Sequence, residues 1–264
     1  MSSRVAAVLA LTALLLVSPA SLAVRAQTPA PAAPAALVPD PPSTCSSCAE
    51  WNAPRQAFKI YGNTYFVGPA GVSALLITSD RGHILVDTGL PQSAALIDAG
   101  IRALGFKTTD VKLILTSHGH YDHVGGVRAL QRYTRAEVVG SPQTARALAI
   151  GGPTPDDPQA PPQPPPGVDY FPAVENVRGV KDGEVVKVGA LAVTAHHVPG
   201  HTPGATTWTW QSCEGTKCLN MVYADSISTV SNEGFRFTGD GKRPSLVPSF
   251  RASITKVGAL PCDI

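Results

Sequence analysis

The sequence predicts an α/β fold built in layers, with helices lying on sheet faces, and three observations carry that expectation. Short β-rich runs are interleaved with helix-spaced runs in both halves of the chain. The apolar period changes to helical spacing over residues 93–104. The run at 111–115, apolar apart from Lys112, has the composition of a buried strand. No short repeat and no membrane-length apolar run occurs beyond the amino end.

That amino end is set apart. Residues 1–26 read as an export signal: Arg4 supplies a positive charge, 5–17 are apolar and small, Pro19 closes the run, and small-x-small patterns end at Ala23 and Ala26. The run is shorter than the roughly 18 apolar residues of a spanning helix, and no Cys follows it closely. The expectation is a periplasmic or secreted protein, free of the membrane once the signal is removed. Residues 27–50 are rich in Pro, Ala, Thr and Ser, too poor in large apolar groups to offset the entropy of ordering, and are expected to be a disordered linker. The domain is expected over 51–264.

Within it, 65–67, 72–77 and 83–87 are β-rich runs separated by Gly and by Ser79-Asp80-Arg81-Gly82, the pattern of an antiparallel meander. The helix at 93–104 stops at Gly105. After the 111–115 strand come helix candidates at 126–133 and 142–150, flanking a strand at 137–139. Residues 151–172 hold a dense proline cluster without periodicity. They are expected to form a long surface loop that walls a site, since loops of that length are usually functional or disordered. Strands follow at 184–188, 191–197, 206–210 and 219–223, then a last helix at 248–260.

A net charge of +2 with scattered Lys and Arg makes no basic stripe and no acidic tail, so a small-molecule partner is expected and nucleic acid is not. Five cysteines in an exported chain imply disulfides, with an odd one over. Cys213 and Cys218 bracket a Gly-containing turn between two strand runs, so a hairpin brings them together. Cys45 and Cys48 have redox-motif spacing but open no helix, which favours a structural pair or free thiols.

The chemistry concentrates after the 111–115 strand, in Ser117-His118-Gly119-His120-Tyr121-Asp122-His123. Three imidazoles and a carboxylate on a loop between rigid elements form a metal-ligand constellation, and donors of N and O without thiolate suit zinc, with iron and manganese also compatible. His-x-His projects alternate side chains to one side, and the Asp-His step turns away, so one stretch can serve two neighbouring ions. Such a cluster arises by chance roughly once in ten thousand chains of ordinary composition. That sets it apart from His83, His196 and His197, each of which alone reads as a hydrogen-bonded core or surface residue. His201, in Pro199-Gly200-His201-Thr202-Pro203-Gly204, sits on a stiff turn after a strand and is the distant third ligand. Asp87, ending the 83–87 strand, is expected to orient the metal loop.

These residues resemble the metallo-β-lactamase superfamily: Val86-Asp87-Thr88-Gly89, then His118-x-His120-x-Asp122-His123, then Gly200-His201-Thr202-Pro203-Gly204, in order. The 82–92 segment, Ser117 and Tyr223-Ala224-Asp225-Ser226-Ile227-Ser228 make the chain similar to subclass B3 metallo-β-lactamases from about residue 51 onward. The resemblance implies a four-layer αββα sandwich with two zinc ions at one edge of the sheets. It implies that His118, His120 and His201 hold the first ion and Asp122 and His123 the second, with Ser226 and Ser228 near the second ion and the substrate carboxylate. It further implies zinc-dependent hydrolysis of the β-lactam amide bond of antibiotics by a metal-activated hydroxide that Asp122 holds in line, and hence antibiotic resistance. The family takes one more His for its second ion from beyond a Pro-Cys-Asp segment, and the sequence stops at Pro261-Cys262-Asp263-Ile264. The expected fold therefore lacks its last strand and helix, the second ion lacks a ligand, and Cys262 lacks a partner. Rival readings are another metallohydrolase of this fold, cleaving a lactone, thioester or phosphoester with Asp225 as a bridging carboxylate, and a metal-binding protein with little activity.

Overall fold

The computed structural model describes residues 36–161 and 170–264. The segment expected to be an export signal, 1–26, the first part of the expected linker and the middle of the proline cluster lie outside the described residues.

The meander forms one half of a seven-stranded sheet. After α1 (Cys48–Trp51), strands β1 (Phe58–Tyr61), β2 (Thr64–Phe66), β3 (Leu75–Ile77) and β4 (His83–Val86) pair antiparallel in sequence order. The connections then change. Helix α2 (Ser93–Ala103) leads to β5 (Val111–Leu115), α3 (Tyr121–Val124) and α4 (Val127–Thr134) to β6 (Glu137–Gly140), and α5 (Pro142–Ile150) to β7 (Val177–Gly179). Strands β4 to β7 run parallel, the pairing that such crossovers permit. A second, antiparallel sheet follows in the order β11-β10-β9-β8, from β8 (Val185–Val188), β9 (Leu191–His197), β10 (Thr206–Glu214) and β11 (Lys217–Tyr223). Helix α6 (Val247–Gly258) comes last. No helix among the described residues is long and apolar enough to cross a membrane.

Side-chain alternation divides the interior in two. Leu76, Leu85, Ile114 and Val138 face Ile97 and Ile101 of α2, Leu130 of α4 and Leu148 of α5. Leu75, Ile77, Ile84, Val86, Leu113, Leu115 and Val139 face the other way, against Val193, Ala195, Trp208 and Trp210 of the second sheet. Because both faces of β4 and β5 are covered, those strands are apolar apart from His83 in β4 and the exposed Lys112 in β5. On the far side, the Ser253 hydroxyl of α6 donates to Pro199 O at 2.8 Å and Lys256 Nζ donates to His197 O at 3.0 Å. The order is helix, sheet, sheet, helix.

Several boundaries differ from expectation. Residues 36–50, assigned by composition to the linker, lie on the domain. Leu37 packs against the helix-side core, Arg132 Nη1 donates to Asp40 Oδ1 at 2.8 Å, Ser43 exchanges hydrogen bonds with Gln92, and Cys45 is bonded to Cys48. A few tertiary contacts hold a segment whose own composition could not. The flanks of the proline cluster also turn inward rather than over the surface, with Asp157 and Phe171 buried. The expected hairpin is longer, and Cys213 and Cys218 face each other in its register and are disulfide-bonded. The edge of β11 is not bare: Asp263 N–H donates to Asn220 O, and Val222 N–H donates to Ile264 O, each at 2.9 Å.

Trp208 couples the two sheets to the loop after β5, since its ring is fully buried and its indole N–H donates to Thr116 O at 3.1 Å. Trp208→Ala is expected to destabilise the fold by about 3–5 kcal/mol in denaturant unfolding. Trp208→Phe should lose less, and equal losses in the two variants would mean that ring volume is not what matters there.

Candidate metal centre

The site forms where β4 and β5 end together. Asp87, the residue after β4, has φ of +55°, a left-handed conformation that Asp tolerates better than most residues. That turn sends its carboxylate under the next loop. Oδ1 accepts the Ser117 N–H at 2.8 Å, and Oδ2 accepts the Ser117 hydroxyl at 2.7 Å, the His123 Nδ1–H at 2.8 Å and the Tyr223 hydroxyl at 2.9 Å. Gly119 separates the two histidines because the loop presses on α5: a Cβ there would lie 2.6 Å from that of Ala147.

His201 arrives from the second sheet. Its turn is closed by Val198 N–H donating to Ala205 O at 2.8 Å, and Thr206 N–H donates to Ser117 O at 2.8 Å, stitching β10 to the His118 loop. Ser141 and Thr144, at the start of α5, donate to Gly204 O at 2.8 and 3.1 Å. Phe250 of α6 occupies the space over Gly200.

Two donor groups result among the described residues, His118 with His120 and His201, and His118 with Asp122 and His123, each with its ligand atoms within 4.8 Å of one another. The rings of His118, His120 and His201 lie with centroids 4.6 to 5.0 Å apart, and His123 stands 4.0 Å from His118. Each imidazole has one nitrogen committed behind it. His118 Nδ1 donates to Asp225 Oδ1 at 2.7 Å, His120 Nε2 to the Asp157 carboxylate at 3.1 Å, His123 Nδ1 to Asp87, and His201 Nδ1 to Ser228 O at 3.0 Å. An imidazole that donates from one nitrogen offers a lone pair at the other, the arrangement of ligating histidines. His118 Nε2 is buried without a hydrogen-bond partner, an orphan that a cation would satisfy. The Gln159 amide lies 3.3 Å from His120 Nδ1 and 3.4 Å from His201 Nε2, so both free nitrogens face one place. A divalent ion with N and O preferences fits this set.

The electrostatics agree for His118 and His201. Complete burial, together with the imidazoles of His123, His120 and His201, holds His118 well below the ordinary histidine range, so it stays neutral. Burial likewise lowers His201. For His123, burial acts downward, but the hydrogen bond and charge of Asp87 outweigh it and raise the group to about 9. Burial raises the Asp225 carboxyl, against the pull of His123 and His201. Burial and then Asp87 push Tyr223 well above the usual phenol range, which keeps it a hydroxyl donor.

The structure thus brings His118, His120, Asp122, His123 and His201 together, with Asp122 Oδ2 3.7 Å from His123 Nε2, and puts Asp87 beneath them. Ser228 sits at His201, its hydroxyl 3.2 Å from Nδ1, and Ser226 is half-buried next to Asp225. Asp225 belongs to neither donor group and lies behind His118. Sequence reasoning missed Asp157 and Gln159, both in the proline cluster, where the Asp156-Asp157 pair in a nearly uncharged stretch was the only signal. A cavity of about 700 Å³ opens beside His120, lined also by Tyr121, Gln159, Tyr170, Phe171 and Glu233.

Over residues 67–209, more than half its length, the chain matches the profile of the Metallo-beta-lactamase superfamily. Among solved structures it is similar to the Rm3 metallo-beta-lactamase, with 50% identity, a TM-score of 0.79, and coverage of 84% of this chain and 81% of that one. It is also similar to MEM-A1, a subclass B3 metallo-beta-lactamase isolated from a soil metagenome library, with 48% identity, a TM-score of 0.76, and coverage of 81% and 79%. Among sequences, the hydroxyacylglutathione hydrolase of Anaeromyxobacter dehalogenans (strain 2CP-C) is 29% identical over 69% of this chain, which spans only 55% of that protein. The profile, the two-sheet core and the clustered imidazoles agree, and the chain belongs to the metallo-β-lactamase superfamily.

Proposed function

We propose that this hydrolase opens the β-lactam amide of antibiotics, using zinc held at the two donor groups, in the manner of subclass B3 enzymes. The observation that carries the reading is its likeness to the Rm3 enzyme, at higher identity and over more of the chain than its likeness to the hydroxyacylglutathione hydrolase. The placement of Asp225 supports it: a thioesterase-like bridging carboxylate would join both donor groups, and Asp225 instead backs His118. The cavity volume suits a small molecule, within the roughly 300–1,000 Å³ of such sites. The apolar run of the 1–26 segment supports an exported, periplasmic or secreted protein and, with it, a role in antibiotic resistance.

His118, His120 and His201 would hold one ion, and Asp122 and His123 a second. Bound zinc supplies a Lewis acid and a water acidified to near neutral pH. The protein's own contribution is placement. Asp87 anchors Ser117 and His123 at once, so the loop cannot swing. Asp122 orients the attacking water and accepts its proton. The C–O bond forms as the strained amide C–N bond breaks, and the proton passes to the released nitrogen. Gln159, between His120 and His201, and the exposed Ser228 offer hydrogen bonds to the polar groups of the substrate.

Three outcomes test this. A chromogenic cephalosporin should be hydrolysed, a strong chelator should abolish turnover, and added zinc should restore it. Chelator-resistant turnover would remove the metal from the mechanism. Asp122→Ala should lower kcat/KM by about 10²- to 10⁴-fold, the range for a positioned proton acceptor, while the metal-free protein melts near the parent temperature. Unchanged turnover defeats that assignment. Offered a hydroxyacylglutathione thioester in parallel, the protein should prefer the lactam, and the reverse preference would install the thioesterase reading.

A further inference from the structure

The His120 ring has two faces of different kinds. Its Nδ1 looks toward His201 and the Gln159 amide, while its Nε2 meets both oxygens of the Asp157 carboxylate at 3.1 Å. Asp157 comes from the proline cluster, far from any strand, yet only 6% of it is exposed. Burying a carboxylate is costly unless its lone pairs are used. Here they are used twice, by the His120 N–H and by the backbone N–H of Gln159, which donates to Oδ1 at 2.8 Å. Pro155, Pro158 and Pro161 restrict the backbone on either side, which lowers the entropy lost in holding Asp157 there.

The segment is tethered independently of that carboxylate. Asp157 N–H donates to Thr154 O at 2.9 Å, Asn232 N–H donates to Pro158 O at 2.9 Å, and the Asn232 side-chain amide donates to Gln159 O. The loop therefore has its own fastenings, and the contact with His120 is not needed merely to keep it in place.

We propose that Asp157 is a positioning residue for the metal: it fixes His120 as the tautomer with its proton on Nε2, aims the Nδ1 lone pair at the first ion and makes that nitrogen a stronger donor. This rests on reading His120 as a ligand, not on the identity of the substrate. Outer partners of this kind typically account for about 10–100-fold in metal affinity.

The test measures zinc affinity directly, by competition of the whole protein against a chromophoric chelator, and records melting of each metal-free variant. Asp157→Ala should bind its tighter zinc about 10–100-fold more weakly. Asp157→Asn, which keeps an acceptor for both hydrogen bonds but loses the charge, should fall between it and the parent. Asn232→Ala, which cuts the side-chain tether and leaves His120 alone, should bind zinc as the parent does. Parent-like affinity in Asp157→Ala overturns the proposal, and so does an equal loss in Asn232→Ala, which would make loop placement the cause. If Asp157→Ala fails to fold, Asp157→Asn decides, and parent-like affinity there overturns the proposal too. A parent that binds zinc tightly and leaves lactams intact would sink the proposed function without touching this inference.

Discussion

Four imidazoles within 4.0 to 5.0 Å of their neighbours must each be held at one ring nitrogen and oriented so that the other is left for a ligand, and the rest of this site follows from that constraint. A free histidine samples two tautomers and any ring angle. Here Asp225, Asp157, Asp87 and the Ser228 carbonyl each take one N–H from behind. The choice of nitrogen is thus made by the fold before any ion arrives, and the cost of ordering the rings is met during folding rather than at binding.

The scaffold explains how partners so distant in sequence reach one place. His118, His120, Asp122 and His123 follow the carboxyl end of the parallel strand β5, where open α/β sheets present their ligand-binding loops, and His201 follows β9 of the antiparallel sheet. Asp87 is the link between the halves. It closes β4 in a left-handed turn, holds the loop after β5 through Ser117, and receives Tyr223 from the end of β11. The second sheet contributes through two more ties, Trp208 to Thr116 and Thr206 to Ser117, so His201 is registered against His118 by backbone contacts rather than by side chains alone.

What was legible in the sequence is what local pattern determines. Strands buried on both faces, such as β5 with only Lys112 exposed, leave runs dominated by apolar residues, and helices α2 and α5 carry their period and their stops in the chain itself. The His-x-His-x-Asp-His cluster is contiguous, so its chemistry could be read at once. Strand β1 was missed because Phe58, Lys59, Ile60 and Tyr61 are exposed or half-buried and show no clean alternation, and β7 because it spans only Val177–Gly179. The docking of 36–50 depends on Arg132 and Gln92, and the roles of Asp157 and Gln159 on a ring nearly forty residues away. Such tertiary pairings leave no period and no motif.

Asp157 and Gln159 also tie two properties that are usually treated apart. One stands behind the His120 ring and the other in front of it, two residues apart on a proline-stiffened segment, and the backbone N–H of Gln159 is itself held by the Asp157 carboxylate. A shift of this segment therefore cannot move the cavity-lining amide without also moving the group behind the ligand nitrogen. The 157–159 stretch is thus tied at once to the donor nitrogen of His120 and to the wall of the cavity.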